Sequence, residues 1–90
     1  NSAFYDSGLT SINIPSSVTY FGSYTFGRCY DLIDVYVNWT SFNGTNVVVY
    51  NDTFYGVIEA DINLHVPSGT GNLYRNHSVW GQFNIIEDNN

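Results

Sequence analysis

The sequence has no lysine and no methionine, one cysteine (Cys29), two prolines, and two arginines against eight carboxylates. Each shortage excludes something. A single cysteine makes no internal bridge, so no disulfide framework staples the chain, and Cys29 is expected as a buried thiol. Two basic residues in a net charge of −6 exclude the clustered Lys and Arg that nucleic acid requires, and argue equally against adsorption to anionic lipid. No apolar run approaches the roughly 18 residues of a membrane span, and no signal-peptide pattern is visible. The absence of an initiator Met leads to the expectation that these 90 residues are part of something longer. They make one small domain, and a chain of this size buries only about 60–65% of its unfolded surface. What is abundant is Asn, Ser, Thr, Gly and Tyr, a composition suited to an extracellular protein kept soluble by hydroxyls and amides.

A short apolar phrase occurs twice: Leu9, Ile12 and Ile14, then Leu32, Val35 and Val37, each offset by 23 positions. A fixed interval in this range is the mark of a solenoid, in which no coil can bury its own apolar residues and stacked coils bury them against each other. Ile12 and Ile14 share one face of a strand, because side chains alternate. Pro15, having no N–H, ends the strand. Val18 and Phe21 are the next apolar positions, Gly22 suits a turn with positive φ, and Phe26 and Cys29 are expected to point inward. "SAFYDSG" (2–8) resembles "YTFGRCYD" (24–31) and "NDTFYGV" (51–57), while "INLHVPSGT" (62–70) echoes "SINIPSSVT" (11–19). One domain therefore divides into the tail of an earlier coil (1–8), a full repeat (9–31), a longer repeat (32–60) with a loop at 38–50, and a last strand with its terminal segment (61–90). In that segment Leu73, His77 and Trp80 lie at the spacing of one helical face, with Ser68 or Thr70 as the cap and Gly81 as the stop. "FNIIED" then reads as a last short strand or extended tail.

With these residues in place, "AFxxxxLxxIxIPxSVTxxGxxxFxxCxxLxxVxV" resembles the BspA-like leucine-rich repeat of bacterial and protozoan surface proteins, and the "VPSGT…VWGQF" segment resembles the C-terminal end of such arrays. Phe21 stands where the family usually has Ile, and Asp61 where a repeat Leu falls, with Ile62 covering the gap. The resemblance implies an α/β leucine-rich-repeat solenoid of the horseshoe type, mostly β, with short strands in a parallel sheet and one short C-terminal capping helix. It also implies secretion or surface attachment, binding to host proteins, other cells or matrix, and further repeats upstream or a neighbouring subunit at the N-terminal edge.

Few residues invite catalysis. Cys29 with His65 or His77 lacks the context of a thiol nucleophile, and the two histidines have no third ligand at a metal-binding spacing. "SGTG" at 68–71 lacks the Lys and the spacing of a phosphate loop. Asp31 with Asp34, and Glu59 with Asp61, read as solvated surface charge, and no calcium-loop signature is present. No enzyme activity, cofactor or metal is assigned. The outward strand positions are more informative. Stacking the copies sets Ser11 beside Asp34 and Asn63, and Asn13 beside Tyr36 and His65, a polar and aromatic strip of the kind solenoids use for recognition. Trp39 and Phe42 in the loop are a second possible contact, although Trp39 equally suits the core. Sequons stand at Asn38, Asn43, Asn51 and Asn76, acceptors for N-glycans in a eukaryotic source. The leading expectation is a non-catalytic extracellular or cell-surface interaction module, the C-terminal end of an adhesin. The alternatives are a carbohydrate-binding appendage of a secreted enzyme, with Trp39, Tyr36 and Tyr50 stacking on sugar rings, and a subunit of an extracellular filament or sheath.

Overall fold

The computed structural model describes residues 4–15, 17–40 and 47–89; Phe42 and Asn43 of the expected loop lie outside them. Four three-residue strands, β1 (Ser11–Asn13), β2 (Asp34–Tyr36), β3 (Asn63–His65) and β4 (Asn84–Ile86), form one sheet in chain order with every neighbouring pair parallel. Ser11, Asp34, Asn63 and Asn84 share one rung, so the coils are 23, 29 and 21 residues round. The 23-residue interval of the repeated phrase is thus the circumference of the first coil. Pro15 and Pro67 lie two residues beyond β1 and β3, where a missing N–H stops the ladder from running on.

The inward residue of each strand forms a second rung of Ile12, Val35, Leu64 and Ile85. Val35 and Leu64 are fully buried, and Ile62 is buried while Asp61 is exposed, so Ile62 does fill the gap in the repeat. Opposite the sheet, aromatic rings stack from coil to coil. Phe4 lies on Phe26 at 5.4 Å, Phe26 on Phe54 at 5.2 Å, and Phe54 meets Trp80 and Phe83 edge to face at 5.9 and 4.9 Å. The turns carry their own parallel ladder: Phe4 N–H donates to Thr25 C=O, Asp6 to Gly27, Phe26 to Thr53 and Arg28 to Tyr55. Cys29 is buried and unpaired, with its thiol donating to the Phe4 carbonyl at 3.0 Å.

Several expectations are corrected. Gly22 is not in the left-handed region; it accepts hydroxyl hydrogen bonds from Thr25 and Thr53 at its carbonyl. The left-handed turn residues are Asp6, Arg28 and Gly56, each two positions after a stacked Phe, together with Tyr24 and Gly69. The helix is only α1 (Gly71–Arg75), so Leu73, His77 and Trp80 do not share a helical face; Tyr74 is its deeply buried residue, and its hydroxyl donates to Trp39 C=O. Thr70 is the N-cap residue, but its hydroxyl donates back to Pro67, and the α1 amide of Gly71 is taken by the Glu87 carboxylate, which also accepts from Gly69. Gly81 lies inside a 3-10 turn (Trp80–Gln82), where a Cβ would sit 2.5 Å from the Arg75 carbonyl oxygen; close approach, not helix termination, requires glycine there. Helix α1 also belongs to the coil between β3 and β4, so a strand follows it in the sheet.

Trp80 is fully buried and touches Phe21, Trp39, Phe54 and Phe83. Its indole N–H has no acceptor among the described residues. Trp80→Ala is therefore expected to destabilise by about 3–5 kcal/mol through the cavity it leaves. Trp80→Phe should cost less, because it also removes an uncompensated donor whose burial costs about 1–3 kcal/mol. Urea unfolding of the three proteins checks this, and an unchanged midpoint for Trp80→Ala would show that the residue is not the anchor.

Candidate functional site

The outward face of the sheet carries two columns of side chains, set by the register. In the first, Ser11, Asp34, Asn63 and Asn84 follow one another across the strands, and in the second Asn13, Tyr36, His65 and Ile86. These are the neighbours that the repeat spacing predicts for the first three strands. The columns are knit together. Asn84 donates its side-chain amide to Asn63 Oδ1 at 2.9 Å, and Asn63 donates to Asp34 Oδ1 at 3.2 Å. Ser11 and Asn13 are exposed, whereas Asp34, Tyr36 and Asn63 are half-buried.

His65 is the centre of the face. Tyr36 stacks on its ring at 4.2 Å with planes 12° apart. Its Nε2 lies 2.8 Å from Asp34 Oδ1 and its Nδ1 2.7 Å from Asp88 Oδ1. A neutral imidazole has one donor, so two carboxylate acceptors are both satisfied only by the imidazolium. Burial of the ring opposes that charge; the hydrogen bonds to Asp34 and Asp88 outweigh it, and the His65 pKa is raised. The Asp34 carboxyl is held below its ordinary range by the His65 hydrogen bond and then by Asn63. The face is thus a preorganised set of hydrogen-bond donors and acceptors with an aromatic ring at its middle.

Asp88 was not among the expected site residues. It arrives from the tail after β4, where Asn89 donates its backbone N–H to Val66 C=O and its side-chain amide to Val37 C=O and Asn38 Oδ1. The only sequence signal was an acidic pair, Glu87–Asp88, directly after a strand. Trp39 is corrected as a loop contact: it is 5% exposed and packs on Phe21 and Trp80. Phe42 lies outside the described residues. The sequon residues Asn38, Asn51 and Asn76 are exposed, and Asn43 lies outside the described residues. His77 accepts the Val79 and Trp80 backbone N–H groups at Nδ1, at 3.1 and 3.4 Å, a structural use of the ring. Among the described residues no three His, Cys, Asp or Glu side chains converge as metal ligands, and no helix is long and apolar enough to cross a membrane.

Residues 1–60 match the family model described as the BspA type leucine rich repeat region (6 copies). No curated protein and no solved structure matches the chain.

The pH dependence of the face has a definite sign. A raised His65 pKa means that its stabilisation is present below the ordinary value of about 6.5 and is lost as pH rises through the folded value. A lowered Asp34 pKa contributes stability above about 3.8 that is lost as pH falls through its folded value. The network is therefore strongest in mildly acidic solution. Burial lowers the His77 pKa, and that residue contributes with the opposite sign, as neutral His above about 6.5. The native curve alone mixes the two, and the difference between native protein and His65→Gln isolates the first. That substitution should destabilise more at about pH 5.5 than at about pH 8.5. An equal loss at both values, read by urea unfolding, would mean that His65 is not held charged.

Proposed function

The chain belongs to the BspA-type leucine-rich-repeat family, and from that premise we propose that it is a non-catalytic, extracellular or cell-surface adhesion module that binds protein ligands through the polar face of its sheet. The observation that carries this is the Asn63–Asp34–His65–Asp88 network with Tyr36 stacked on it. Side chains held by one another lose little freedom on binding, and the cost of ordering an interface is what usually erodes affinity. A half-buried Tyr beside fixed polar groups suits a recognition hot spot. Beads coated with the chain should adhere to cells or immobilised matrix proteins. Tyr36→Ala, which leaves the Asp34–His65 pair in place, should lower that adhesion by about tenfold. Adhesion that is absent, or indifferent to Tyr36→Ala and Ser11→Arg, would overturn this reading.

A carbohydrate-binding appendage is less well supported. Of the three rings it calls on, Trp39 is in the core and one face of Tyr36 is taken by His65, which leaves Tyr50. In the adhesin reading the four strands are a sector of a larger horseshoe, with the segment from Gly71 to Gln82 forming the return between β3 and β4. Further repeats or a neighbouring subunit occupy the β1 edge. There Phe4, Ile12, Val18, Tyr20 and Phe21 line an apolar recess of about 360 Å³, and β1 has no second strand partner among the described residues. Such an edge invites association. Placing two family repeats ahead of β1 should raise the melting temperature and suppress concentration-dependent association seen by sedimentation, because each new coil adds a nearest-neighbour interface. A chain that is monomeric at high concentration and gains nothing from added coils would rule out that use of the edge.

A further inference from the structure

Away from the sheet, on the turn side, tyrosines stack in two exposed ladders. Tyr24 meets Tyr55 edge to face at 5.3 Å, and Tyr20 meets Tyr50 at 6.2 Å. The outer members, Tyr50 and Tyr55, are 44% and 53% exposed. Between them lies an open recess of about 460 Å³, also lined by Ser23, Asp52 and Glu59. Gly56, whose φ of +83° favours glycine, also lines it. One oxygen of the Asp52 carboxylate is shut off from water and has no hydrogen-bond partner among the described residues. A desolvated carboxylate oxygen left unpaired is costly. Neither of the chain's two basic residues serves it: Arg28 is drawn over the Tyr5 ring at 5.8 Å, and Arg75 donates to Asn72 on α1. Thus the recess combines two carboxylates, no lining cation and two exposed aromatic rings.

We propose that this recess receives the guanidinium of an arginine side chain presented by a partner polypeptide, with Asp52 as the ion-pair acceptor and Tyr50 and Tyr55 as the walls. With one oxygen of the half-buried Asp52 sealed inside, the charge is met through the other oxygen, and a planar guanidinium can donate there while stacking on tyrosine, which a neutral ligand or a compact ammonium does less well. The turn side already holds one guanidinium against a tyrosine, Arg28 over Tyr5, with its Nη1 donating to the Tyr5 hydroxyl at 3.5 Å. A net charge of −6 favours approach of a basic segment. A neutral sugar would fit the rings but would leave two carboxylates in the recess uncompensated, so the charge favours the arginine. The site is separate from the sheet face and does not rest on the adhesin reading.

The test is an amide NMR titration of the chain with a capped Gly-Arg-Gly peptide and its neutral citrulline counterpart. The arginine peptide should give saturable shifts at Ser23 and over residues 50–57. Asp52→Asn should weaken it by about tenfold, whereas Asp61→Asn, the same charge change at an exposed residue outside the recess, should alter it less than about twofold. Tyr55→Ala, which keeps the carboxylate, should also weaken binding. Shifts spread over all the carboxylates without saturation, equal effects of Asp52→Asn and Asp61→Asn, or equal binding of the citrulline peptide would each overturn the proposal. So would localised shifts with chitotriose and none with the arginine peptide, which would make the recess a glycan site.

Discussion

Rings stacked from coil to coil are the constraint on which the rest of this molecule depends. A three-residue strand offers too few ladder bonds to define its own register, and a parallel sheet of such strands has no hairpins to align it. The alignment comes from the opposite side, where Phe4, Phe26 and Phe54 occupy one position in successive coils and stack within 5.2–5.4 Å. Large rings in face-to-face offset contact tolerate little sliding. Each fixes the turn that follows it, which is why the residue two places on is left-handed in all three coils: Asp6, Arg28 and Gly56. Two of the three are not glycine, a conformation that costs about 1–2 kcal/mol per residue. That strain is tolerated because the same turns donate backbone hydrogen bonds to the next coil and the rings are buried against each other.

Stacking like on like has a consequence for charge. Whatever stands at an outward position is set beside the same position of the next coil, so a repeated carboxylate would face its copy. The first column avoids this by carrying one carboxylate among hydroxyl and amides: Ser11, Asp34, Asn63, Asn84. The amides then bridge the rungs, donating in sequence from Asn84 to Asn63 to Asp34. The second column has room for a large flat pair, and Tyr36 lies parallel on His65 because neighbouring strands bring their side chains to that separation. The ordered polar face is thus a by-product of the repeat: the period that buries the core also arrays the outward residues.

How much of this was legible follows from what is local. The strand register, the inward Phe26 and Cys29, and the compensation of Asp61 by Ile62 were readable because each is a repeated feature, and repetition converts sequence offset into spatial adjacency. Residues that act once were not readable in this way. Trp39 stands in a coil whose loop breaks the period, so nothing in the spacing distinguished core from surface; its burial depends on Phe21 and Trp80, distant in sequence. The helical spacing of Leu73, His77 and Trp80 was a coincidence of three residues, because Gly81 must pack against the Arg75 carbonyl and His77 turns back onto the Val79 and Trp80 amides. Backbone contacts of that kind leave no periodic trace.

The tail shows why the face could not be derived from the repeat alone. After β4, three consecutive polar residues each reach a different part of the molecule: Glu87 takes the Gly69 and Gly71 amides, Asp88 takes His65 Nδ1, and Asn89 donates to Val37 and Asn38 on the coil beyond. Without Asp88 the imidazole would have one carboxylate, and burial of the ring would weigh more heavily against its charge. The repeat places His65 beside Asp34, and a segment outside the repeat adds the second carboxylate that helps to raise its pKa beneath the stacked Tyr36. The hydrogen-bond network of this sheet therefore rests on the irregular end of the chain as much as on its period.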